Sequence, residues 1–402
     1  MIVQRAYVYR LEPTLEQEAF LAQTAGACRV LYNLALEQRM MWKPGKPITL
    51  KKQSQELTEL REKVEWMKAA PVHALQSALK DLDRAFQNFF AGRAAFPRFK
   101  RKGDGDGFHL KDKAYLGFKR LNKSKGAVRI PKVGWVKLRG WRALGGELRN
   151  VTISRRNGHW FAAVTWQADV ADPAPSTLPD VGIDRGIKIF AALSTGENHI
   201  APPFFAAIET KLAKAQRKLA RQKKGSARWR KQKVRITRLH TYAANARRDF
   251  LHKTSLAIAK NHGMVAVEKL QIKNMSRSAK GTVQDPGRNV AAKSGLNRSI
   301  LDKGWSTFRA ILAYKLADRG GTIVDVPPEY TSQTCACCGT ISKQSRKSQS
   351  KFSCVACGHE ANADTNAAKN ILAAGHAVSA RQANRTSGRQ RELSGKEAVN
   401  AH

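Results

Sequence analysis

The sequence predicts a multidomain α+β protein, and three features of its 402 residues support that prediction. Residues 1–12 alternate like a strand, residues 13–94 show helical periodicity, and residues 95–170 return to a period of two. Residues 171–180, ADPAPSTLPD, contain three prolines and have the composition of a linker. After this linker, strand patterns come first as a cluster and then alternate with helical patterns, which is typical of a mixed α/β sheet.

Residues 13–94 are predicted to form a helical insert after the first strand. Thr14 and Gln17 match a capping box, so a first helix is expected to start there and to run to about Met41. Two further helical patterns follow. In the last of them, PVHALQSALKDLDRAFQNFFAG, proline begins the segment, apolar residues recur at helical spacing, and Gly92 ends it.

Residues 95–170 are predicted to form a small β domain. Short strands are expected around VRIPKVGWVKLRG, and VTISRRNGHWFAAVTW has the pattern of a hairpin with Asn157 and Gly158 at its turn. A barrel is one arrangement that such strands can take.

Residues 181–329 are predicted to build the mixed sheet. The stretch DVGIDRGIKIFAALSTG predicts a strand, a turn and a strand, whereas GMVAVEKL and TIVDVPPEY each predict one strand, with helical stretches between them. A cysteine-rich segment, residues 330–358, interrupts this pattern before the last helix at residues 359–376. The polar residues 377–402 are predicted to be disordered.

The charge of the chain indicates a strongly anionic partner. Seventy-two Lys and Arg residues against 31 Asp and Glu residues give a formal net charge of +41, which favours nucleic acid as the partner. No apolar run approaches the roughly 20 residues of a spanning helix, so membrane residence is not expected. The N-terminus, MIVQRAYVYRLEP, lacks the apolar segment of a signal peptide, and we expect an intracellular protein.

One helical stretch concentrates this charge. Residues 211–253 contain sixteen Lys and Arg residues and a single acid, Asp249. A solvated surface helix usually mixes both signs, so the basic face is expected to lie along phosphate backbones, with an affinity that falls steeply with salt. Trp229 and Tyr242 lie within this stretch, and the apolar spacing around them favours a place in the core.

Two cysteine pairs predict a zinc site. Cys335 with Cys338, and Cys354 with Cys357, form two C-x-x-C turns, each followed by glycine and separated by a 15-residue loop. Four thiolates around one tetrahedral Zn²⁺ ion leave no open position, so the site is expected to be structural. Cys337 is an additional cysteine that could replace Cys335 or Cys338 as a ligand, and the competing interpretation is a set of reduced thiols without metal.

Three acidic residues predict a second kind of metal site. Asp184 and Glu268 each stand on a strand that is otherwise apolar, and Asp364 begins the last helix. Singly, they could be a turn residue, a solvated strand terminus and a helix N-cap. A charge on a buried strand is costly unless it is paired or binds a cation. Together, the three carboxylates have the chemistry to hold two Mg²⁺ or Mn²⁺ ions about 4 Å apart for phosphodiester hydrolysis.

Ordered motifs over nearly the whole chain, up to about residue 375, carry a family resemblance. They include YVYRLEPTLEQE, CRVLYNLAL and FPRFKRK in the first half, and GIDRGIK, RRDFLHK, VEKLQIKNM, SILDKGW, YTSQTCACCG and ADTNAAKNI in the second. The sequence resembles the TnpB (OrfB) family of transposon-encoded proteins, relatives of the compact type V CRISPR effector nucleases. The resemblance implies a RuvC-like, RNase H-type nuclease in the second half, whose three acids correspond to Asp184, Glu268 and Asp364. It also implies a zinc ribbon inserted before the last helix.

For the first half, the resemblance implies a β-barrel wedge domain interrupted by a helical recognition insert. Its partners would be a guide RNA and double-stranded target DNA with a short adjacent motif. We expect a monomeric protein on one RNA, in a prokaryotic cytoplasm and acting at the nucleoid. Three residues depart from the family pattern, namely Arg185, Lys269 and Asn362. None of them removes a metal ligand, and each is a candidate for weakening or retuning metal binding.

The sequence therefore predicts an RNA-guided, Mg²⁺-dependent DNA endonuclease, with two rivals. One is a RuvC-like nuclease or transposase that needs no RNA, and the other is an RNA-guided or DNA-binding repressor without nuclease activity. The segment NMSRSAKGTVQDPGRNVAAKSG, which comes after Glu268, is either a lid over the metals or a plain connector.

Overall fold

The computed structural model consists of two compact units, Met1–Ala171 and Asp172–His402. The described backbone covers residues 1–41, 48–103, 105–142 and 145–399, with side chains described up to residue 381. Within these residues, no helix has the length and apolar character that crossing a membrane requires.

The first unit begins with a strand followed by four helices. These elements are β1 (Ile2–Glu12), α1 (Leu15–Met40), α2 (Leu50–Lys63), α3 (Glu65–Ala69) and α4 (Val72–Phe90). The Thr14 side chain accepts a hydrogen bond from the Gln17 backbone N–H at 3.3 Å, and the Gln17 side chain accepts one from the Thr14 N–H at 3.1 Å. This reciprocal pair satisfies two N–H groups at the start of α1 and confirms the capping box.

A seven-stranded antiparallel sheet completes the first unit. Its further strands are β2 (Gly107–Leu110), β3 (Gly117–Arg120), β4 (Lys125–Ile130), β5 (Gly134–Arg139), β6 (Glu147–Arg156) and β7 (His159–Asp169). The order is β2-β6-β7-β1-β5-β4-β3. Asn157 and Gly158 both have positive φ, 53° and 80°, which is the backbone that a tight hairpin between β6 and β7 needs.

The sheet of the first unit is strongly curled. In a flat sheet, β3 and β7 would lie about 19 Å apart, because four strand spacings separate them. Yet the ring of Phe118 on β3 is 5.4 Å from that of Trp166 on β7 and 5.5 Å from that of Tyr9 on β1. Since β2 and β3 are the ends of the strand order, the described strands form a curled sheet with two edges, and the ladder does not close into a barrel.

The second unit contains a five-stranded mixed sheet, a two-stranded ribbon and six helices among its described residues. The strands are β8 (Val181–Asp184), β9 (Ala191–Leu193), β10 (Asn198–His199), β11 (Met264–Glu268), β12 (Thr322–Val326), β13 (Lys351–Ser353) and β14 (Glu360–Asn362). The helices are α5 (Ala206–Ala220), α6 (Ala227–Asn261), α7 (Ile272–Met275), α8 (Val290–Lys303), α9 (Trp305–Ala317) and α10 (Ala363–Val399). The large sheet has the order β10-β9-β8-β11-β12, in which β8, β11 and β12 are parallel. The predicted mixed sheet is thus confirmed.

Helix α10 packs tightly on this sheet at two glycines. A Cβ atom at Gly182 on β8 would lie 2.0 Å from the Ala368 carbonyl oxygen, and one at Gly375 would lie 2.5 Å from Cβ of Ala266 on β11. Only glycine permits such close approach of a helix to a strand. The packing fixes the start of α10 relative to the ends of β8 and β11.

The structure differs from the sequence prediction at the C-terminal tail. Helix α10 continues to Val399, whereas the sequence predicts that the last helix ends at residue 376. Alanine, arginine, glutamine and glutamate, which are frequent in this segment, are strong helix formers. The last residues of the predicted tail, 400–402, lie outside the described residues.

Candidate active site and metal centre

Asp184 and Glu268 are brought together by the parallel pairing of β8 with β11. The last pair in that register is Ile183 with Val267, so each acid directly follows the last residue that pairs β8 with β11. Because the carboxyl ends of parallel strands meet at one edge of a sheet, both side chains belong to the same edge. Both are partly buried.

Asp364 lies in the first turn of α10, which starts at this same site. The side-chain oxygen of Asn362 accepts hydrogen bonds from the backbone N–H groups of Asp364 at 2.9 Å and Thr365 at 3.2 Å. Asn362 therefore caps the helix, and the alternative interpretation of Asp364 as the N-cap is wrong. The Asp364 carboxylate is consequently available for another role.

The electrostatics link the three acids. Burial raises the pKa of Asp184 to about 7, with further increases from the negative charges of Glu268 and then Asp364, and Arg346 opposes this shift. Burial also raises the pKa of Asp364, again against the effect of Arg346. The charges of both other carboxylates thus act on Asp184, as expected for acids that share one site.

The carboxylates fit a divalent cation by chemistry and are more loosely grouped than the cysteines. In the four cysteines, the candidate ligand atoms all lie within 4.8 Å of one another. Among the described residues, the three carboxylates do not form so tight a group. Two ions about 4 Å apart need carboxylates spread across a wider space than ligands of a single ion do. Hard oxygen donors of this kind, two of which raise the pKa of Asp184, fit Mg²⁺ or Mn²⁺.

Two residues that the sequence analysis missed complete the acid site. Nη2 of Arg346 lies 3.7 Å from Oδ1 of Asp364, and the hydroxyl of Thr331 donates a hydrogen bond to Oε1 of Glu268 at 2.6 Å. Arg346 belongs to the loop SKQSRKSQSK, which also contains three lysines, so composition alone does not identify the residue that reaches the acids. Thr331 has no local signal, because its contact depends on the tertiary fold.

The three departures from the family pattern have different places in the structure. Arg185 is buried, with 8% of its surface exposed, and donates a hydrogen bond through Nη2 to the backbone carbonyl of Glu268. Lys269 is exposed, while its backbone N–H donates to the Val326 carbonyl at 2.8 Å. Only Arg185 and the cap Asn362 therefore contact the residues of the acid site.

The four predicted cysteine ligands form one cluster. The sulfurs of Cys335 and Cys357 are 3.7 Å apart, and those of Cys338 and Cys354 are 3.6 Å apart. Tetrahedral zinc with Zn–S bonds of about 2.3 Å would separate its sulfurs by about 3.8 Å. Cys337 is exposed and does not belong to the cluster. The geometry fits one Zn²⁺ ion bound by the four predicted cysteines.

Two matching turns present these sulfurs. In each turn, the glycine after the second cysteine has positive φ, 74° at Gly339 and 68° at Gly358. Its N–H donates to the carbonyl of the first cysteine, at 3.0 Å for Cys335 and 3.1 Å for Cys354. A side chain at either glycine would strain this backbone, which explains why each C-x-x-C pair is followed by glycine.

Asparagines on α10 connect the cysteine cluster to the acid site. Asn366 is fully buried; its side-chain oxygen accepts from the Ala336 N–H at 2.9 Å, and its amide donates to the Thr334 carbonyl at 2.7 Å. The Asn370 amide donates to the carbonyl of Thr331 at 2.9 Å. Thr331, in turn, holds Glu268. The first cysteine turn is thereby fixed both to α10 and to one of the three acids.

Helices α5 and α6 carry the basic stretch. Leu212 and Leu251 are buried in the core, whereas nearly all of the Lys and Arg side chains are exposed or partly exposed. This confirms the prediction that an apolar face packs inward and a basic face lies opposite. The prediction that Tyr242 lies in the core is wrong, because 66% of its surface is exposed. Trp229 is partly buried, with Nζ of Lys233 5.4 Å from its ring centre.

This combination defines a class of protein: an α+β protein with an acid site at the edge of a mixed sheet and a four-cysteine centre next to its last helix. Comparison with known proteins agrees with that class. Three family models match the chain, namely "Probable transposase" at residues 163–279, "Cas12f1-like, TNB domain" at residues 305–371 and "Helix-turn-helix domain" at residues 1–46. The described part of residues 1–46 forms β1 and α1.

Individual relatives extend the match to nearly the whole chain. The "Putative RNA-guided DNA endonuclease InsQ" of Escherichia coli (strain K12) is 46% identical over 378 residues, 93% of each chain. A "Putative RNA-guided DNA endonuclease" of Streptomyces pristinaespiralis is 34% identical over 389 residues, 94% of this chain and 91% of that one. The chain therefore belongs to the TnpB (OrfB) family, and the resemblance read from its motifs is confirmed.

A solved structure shows that the fold is shared more widely. The protein of a "Cas12f1-sgRNA-target DNA complex" superposes with a TM-score of 0.56, covering 92% of this chain and 99% of that chain. The two sequences are only 16% identical, so this similarity concerns the fold alone.

Proposed function

We propose that this protein is an RNA-guided DNA endonuclease that cleaves double-stranded target DNA beside a short recognition motif. The observation that carries the proposal is that Asp184 and Glu268 follow the last β8–β11 pair at one edge of the mixed sheet, where the charge of Asp364 also acts on Asp184. The support from relatives is the 46% identity to a chain described as a putative RNA-guided DNA endonuclease.

In this proposal, Asp184, Glu268 and Asp364 hold two Mg²⁺ or Mn²⁺ ions. Such ions, when bound, polarise the phosphodiester, lower the pKa of an attacking water and stabilise the leaving oxygen. The carboxyl of Asp184 has to lose its proton to become a ligand, and nearby positive charge favours that loss. Thr331 fixes one oxygen of Glu268, which leaves the second oxygen for ligation. Arg346, beside Asp364, is suited to meeting negative charge on the phosphate.

The second unit would be the RuvC-like, RNase H-type nuclease. Its strand arrangement supports this, since β8, β9 and β10 are antiparallel neighbours and β11 and β12 extend the sheet in parallel. Cys335, Cys338, Cys354 and Cys357 would hold a structural Zn²⁺ ion in the inserted ribbon. With four sulfurs bound, that zinc would have no free position for a substrate, and its role would be to hold Thr331 and α10 in place.

The first unit would be the wedge domain with its helical recognition insert. It would bind the guide RNA and the short duplex motif, while the basic face of α5 and α6 would follow phosphate backbones. Base pairing between guide and target would supply sequence specificity, as in other RNA-guided systems. The net charge of +41 suits a protein that binds both nucleic acids.

The test uses the full chain purified with the RNA that accompanies it in the cell. Plasmid cleavage in Mg²⁺ is measured for the wild type, Asp184→Ala, Glu268→Gln and a control, Glu197→Gln, whose carboxylate lies on an exposed turn of the same unit. We expect the site variants to lose at least about 1,000-fold in rate, with the control unchanged. Cleavage that survives Asp184→Ala would contradict the assignment of the site.

The two rivals are separated by other outcomes of the same preparation. Sequencing of the bound nucleic acid should yield one discrete RNA, and RNase treatment should abolish cleavage. Cleavage that persists without RNA would identify an RNA-independent nuclease or transposase. Sequence-specific DNA binding by the wild-type complex without any cleavage in Mg²⁺ would identify a repressor.

A further inference from the structure

Arg185 is a buried cation whose role the proposed mechanism does not explain. It directly follows Asp184, only 8% of its surface is exposed, and its Nε atom has no hydrogen-bond partner among the described residues. A buried guanidinium is costly unless its charge and donors are used. Arg185 should therefore make an interaction that compensates for its burial.

The interaction it makes is with the backbone of a second acid. Nη2 of Arg185 donates a hydrogen bond to the carbonyl oxygen of Glu268. The register between β8 and β11 ends at Ile183 and Val267, one residue before each acid. The Arg185 side chain thus supplies a link between the two strand ends at the point where the backbone ladder has stopped.

The charges around Arg185 also indicate that it acts on the acid site. Asp184, Glu268 and Asp325 are the acids close enough to favour the charged form of Arg185. Asp325 already has a partner, because Nε and Nη2 of Arg309 contact its two oxygens at 3.0 and 2.6 Å. The carboxylates left for Arg185 to balance are those proposed to bind metal.

We propose that Arg185 is a positioning residue that sets the separation of Asp184 and Glu268 for the divalent ions. It does so by holding the end of β11 to the end of β8 through the Glu268 carbonyl. This inference rests on the proposed function of the acid site. It assigns a role to a residue that departs from the family pattern and that the sequence alone marks only as a candidate for weakening metal binding.

Positioning and charge make opposite predictions for metal affinity. If Arg185 acted only as a nearby positive charge, its removal would strengthen the binding of a divalent cation. If it holds the two acids in place, its removal loosens the ligand set and weakens binding. A Mn²⁺ titration followed by electron paramagnetic resonance, on the RNA-bound full chain without target DNA, measures this difference independently of cleavage.

For Arg185→Met, which keeps the length and apolar volume, we expect Mn²⁺ affinity to fall at least about fivefold and the single-turnover cleavage rate at saturating Mg²⁺ to fall at least about tenfold. Arg185→Lys keeps the charge and one donor, and should recover part of both losses. Because the methionine variant removes a buried hydrogen bond, its melting temperature is measured as well, and the lysine variant provides the comparison if the methionine variant does not fold.

The matched control is Arg309→Met, which removes a half-buried arginine that pairs with Asp325 on the same sheet without touching Glu268. It should lower the melting temperature and leave Mn²⁺ affinity unchanged. Unchanged or tighter Mn²⁺ binding by Arg185→Met would overturn the inference, as would equal losses in Arg309→Met. If the wild type itself bound no Mn²⁺ at this site, the proposed function would fail instead, so the two failures are distinguishable.

Discussion

The cysteine cluster and the acid site lie in the same unit and are built in opposite ways. The four clustered cysteines lie between positions 335 and 357 and come from two nearly identical turns, whereas the acids come from positions 184, 268 and 364 and from three different elements. Among the described residues, the sulfurs are all within 4.8 Å of one another, and the carboxylates are not gathered so tightly. A soft-metal site can thus be complete in a short segment, whereas this acid site needs the whole sheet and the last helix.

The comparison also shows that the two sites are coupled. Thr331 and Asn366 connect the first cysteine turn to Glu268 and α10, so loss of the cysteine cluster should damage the acid site. The reverse should not hold, because the cysteine turns are closed by their own backbone hydrogen bonds. The Cys354 and Thr331 variants test this asymmetry, and all predictions are ordered from the largest expected effect to the smallest.

Cys354→Ser should have the largest effect. Its sulfur is buried in the cluster, and binding of a structural zinc ion contributes directly to folding free energy. We expect bound zinc, measured by elemental analysis, to fall close to zero, and cleavage to fall at least about 100-fold because Thr331 and the start of α10 are no longer held. Cys337→Ser is the control and should keep both zinc and activity. Full activity without zinc would show that the sites are independent.

Thr331→Val should have an intermediate effect. The change keeps the shape of a buried side chain and removes its hydrogen bond to the Glu268 carboxylate, an interaction worth about 2 kcal/mol. We expect a cleavage rate about tenfold lower, with zinc content unchanged. The control, Thr322→Val, alters an exposed threonine on β12. A variant that cleaved normally would remove the proposed link between the ribbon and the acids.

Asp184→Asn should change the pH dependence of stability. The pKa of Asp184 is about 7 in the folded protein against an ordinary value of 3.8, so the folded state binds this proton more tightly than the unfolded state does. The stabilisation is present below pH 3.8 and is lost as the pH rises towards 7, because the buried carboxylate must then ionise. Without divalent ions at pH 8, the asparagine variant should therefore melt at least about 2 °C higher than the wild type.

The same comparison at about pH 5.5 supplies the control for that prediction. There the wild-type carboxyl is largely protonated in the folded state, so the advantage of asparagine should shrink. Adding Mg²⁺ at pH 8 should stabilise the wild type and not the variant. A variant that melts below the wild type at pH 8 in chelator would mean that Asp184 has a partner that already compensates its charge.

Substitutions on the basic face of α6 should have the smallest effect. Arg235→Gln and Arg238→Gln each remove one positive charge from the helix. We expect RNA affinity to fall about two- to fivefold for each, and the slope of log affinity against log salt to decrease by about 0.7 for each phosphate of single-stranded RNA that is no longer neutralised. Lys260→Gln, in the last turn of α6 and beyond the basic stretch, is the control. Unchanged salt slopes would argue against phosphate binding by this face.

The sequence predicts the parts of the candidate sites that depend on residue type and local spacing. The cysteine ligands follow from two C-x-x-C pairs with glycine after each, and Asp184 and Glu268 are recognisable because charge is unexpected on apolar strands. Asp364 is ambiguous between ligand and helix cap in the sequence, and the hydrogen bonds of Asn362 decide that it is not the cap.

The residues that the sequence did not reveal depend on tertiary structure. Arg346 is one cation among several in a polar loop, and Thr331 contacts Glu268 only because α10 and the first cysteine turn hold it there. Tyr242 is exposed, although helical spacing predicts that it lies in the core. In a very basic helix, spacing alone does not show whether a residue at the edge of the apolar face is covered by neighbouring elements.

The central claim is that Asp184, Glu268 and Asp364 bind the same pair of divalent ions. The most direct test is electron paramagnetic resonance of Mn²⁺ bound to the complex of protein, RNA and target DNA. We predict a magnetically coupled pair of ions about 4 Å apart, whose signal disappears equally in Asp184→Asn and Asp364→Asn. Uncoupled Mn²⁺ whose binding is unaffected by Asp364→Asn would contradict the claim, because the helix and the strands would then not share a metal site.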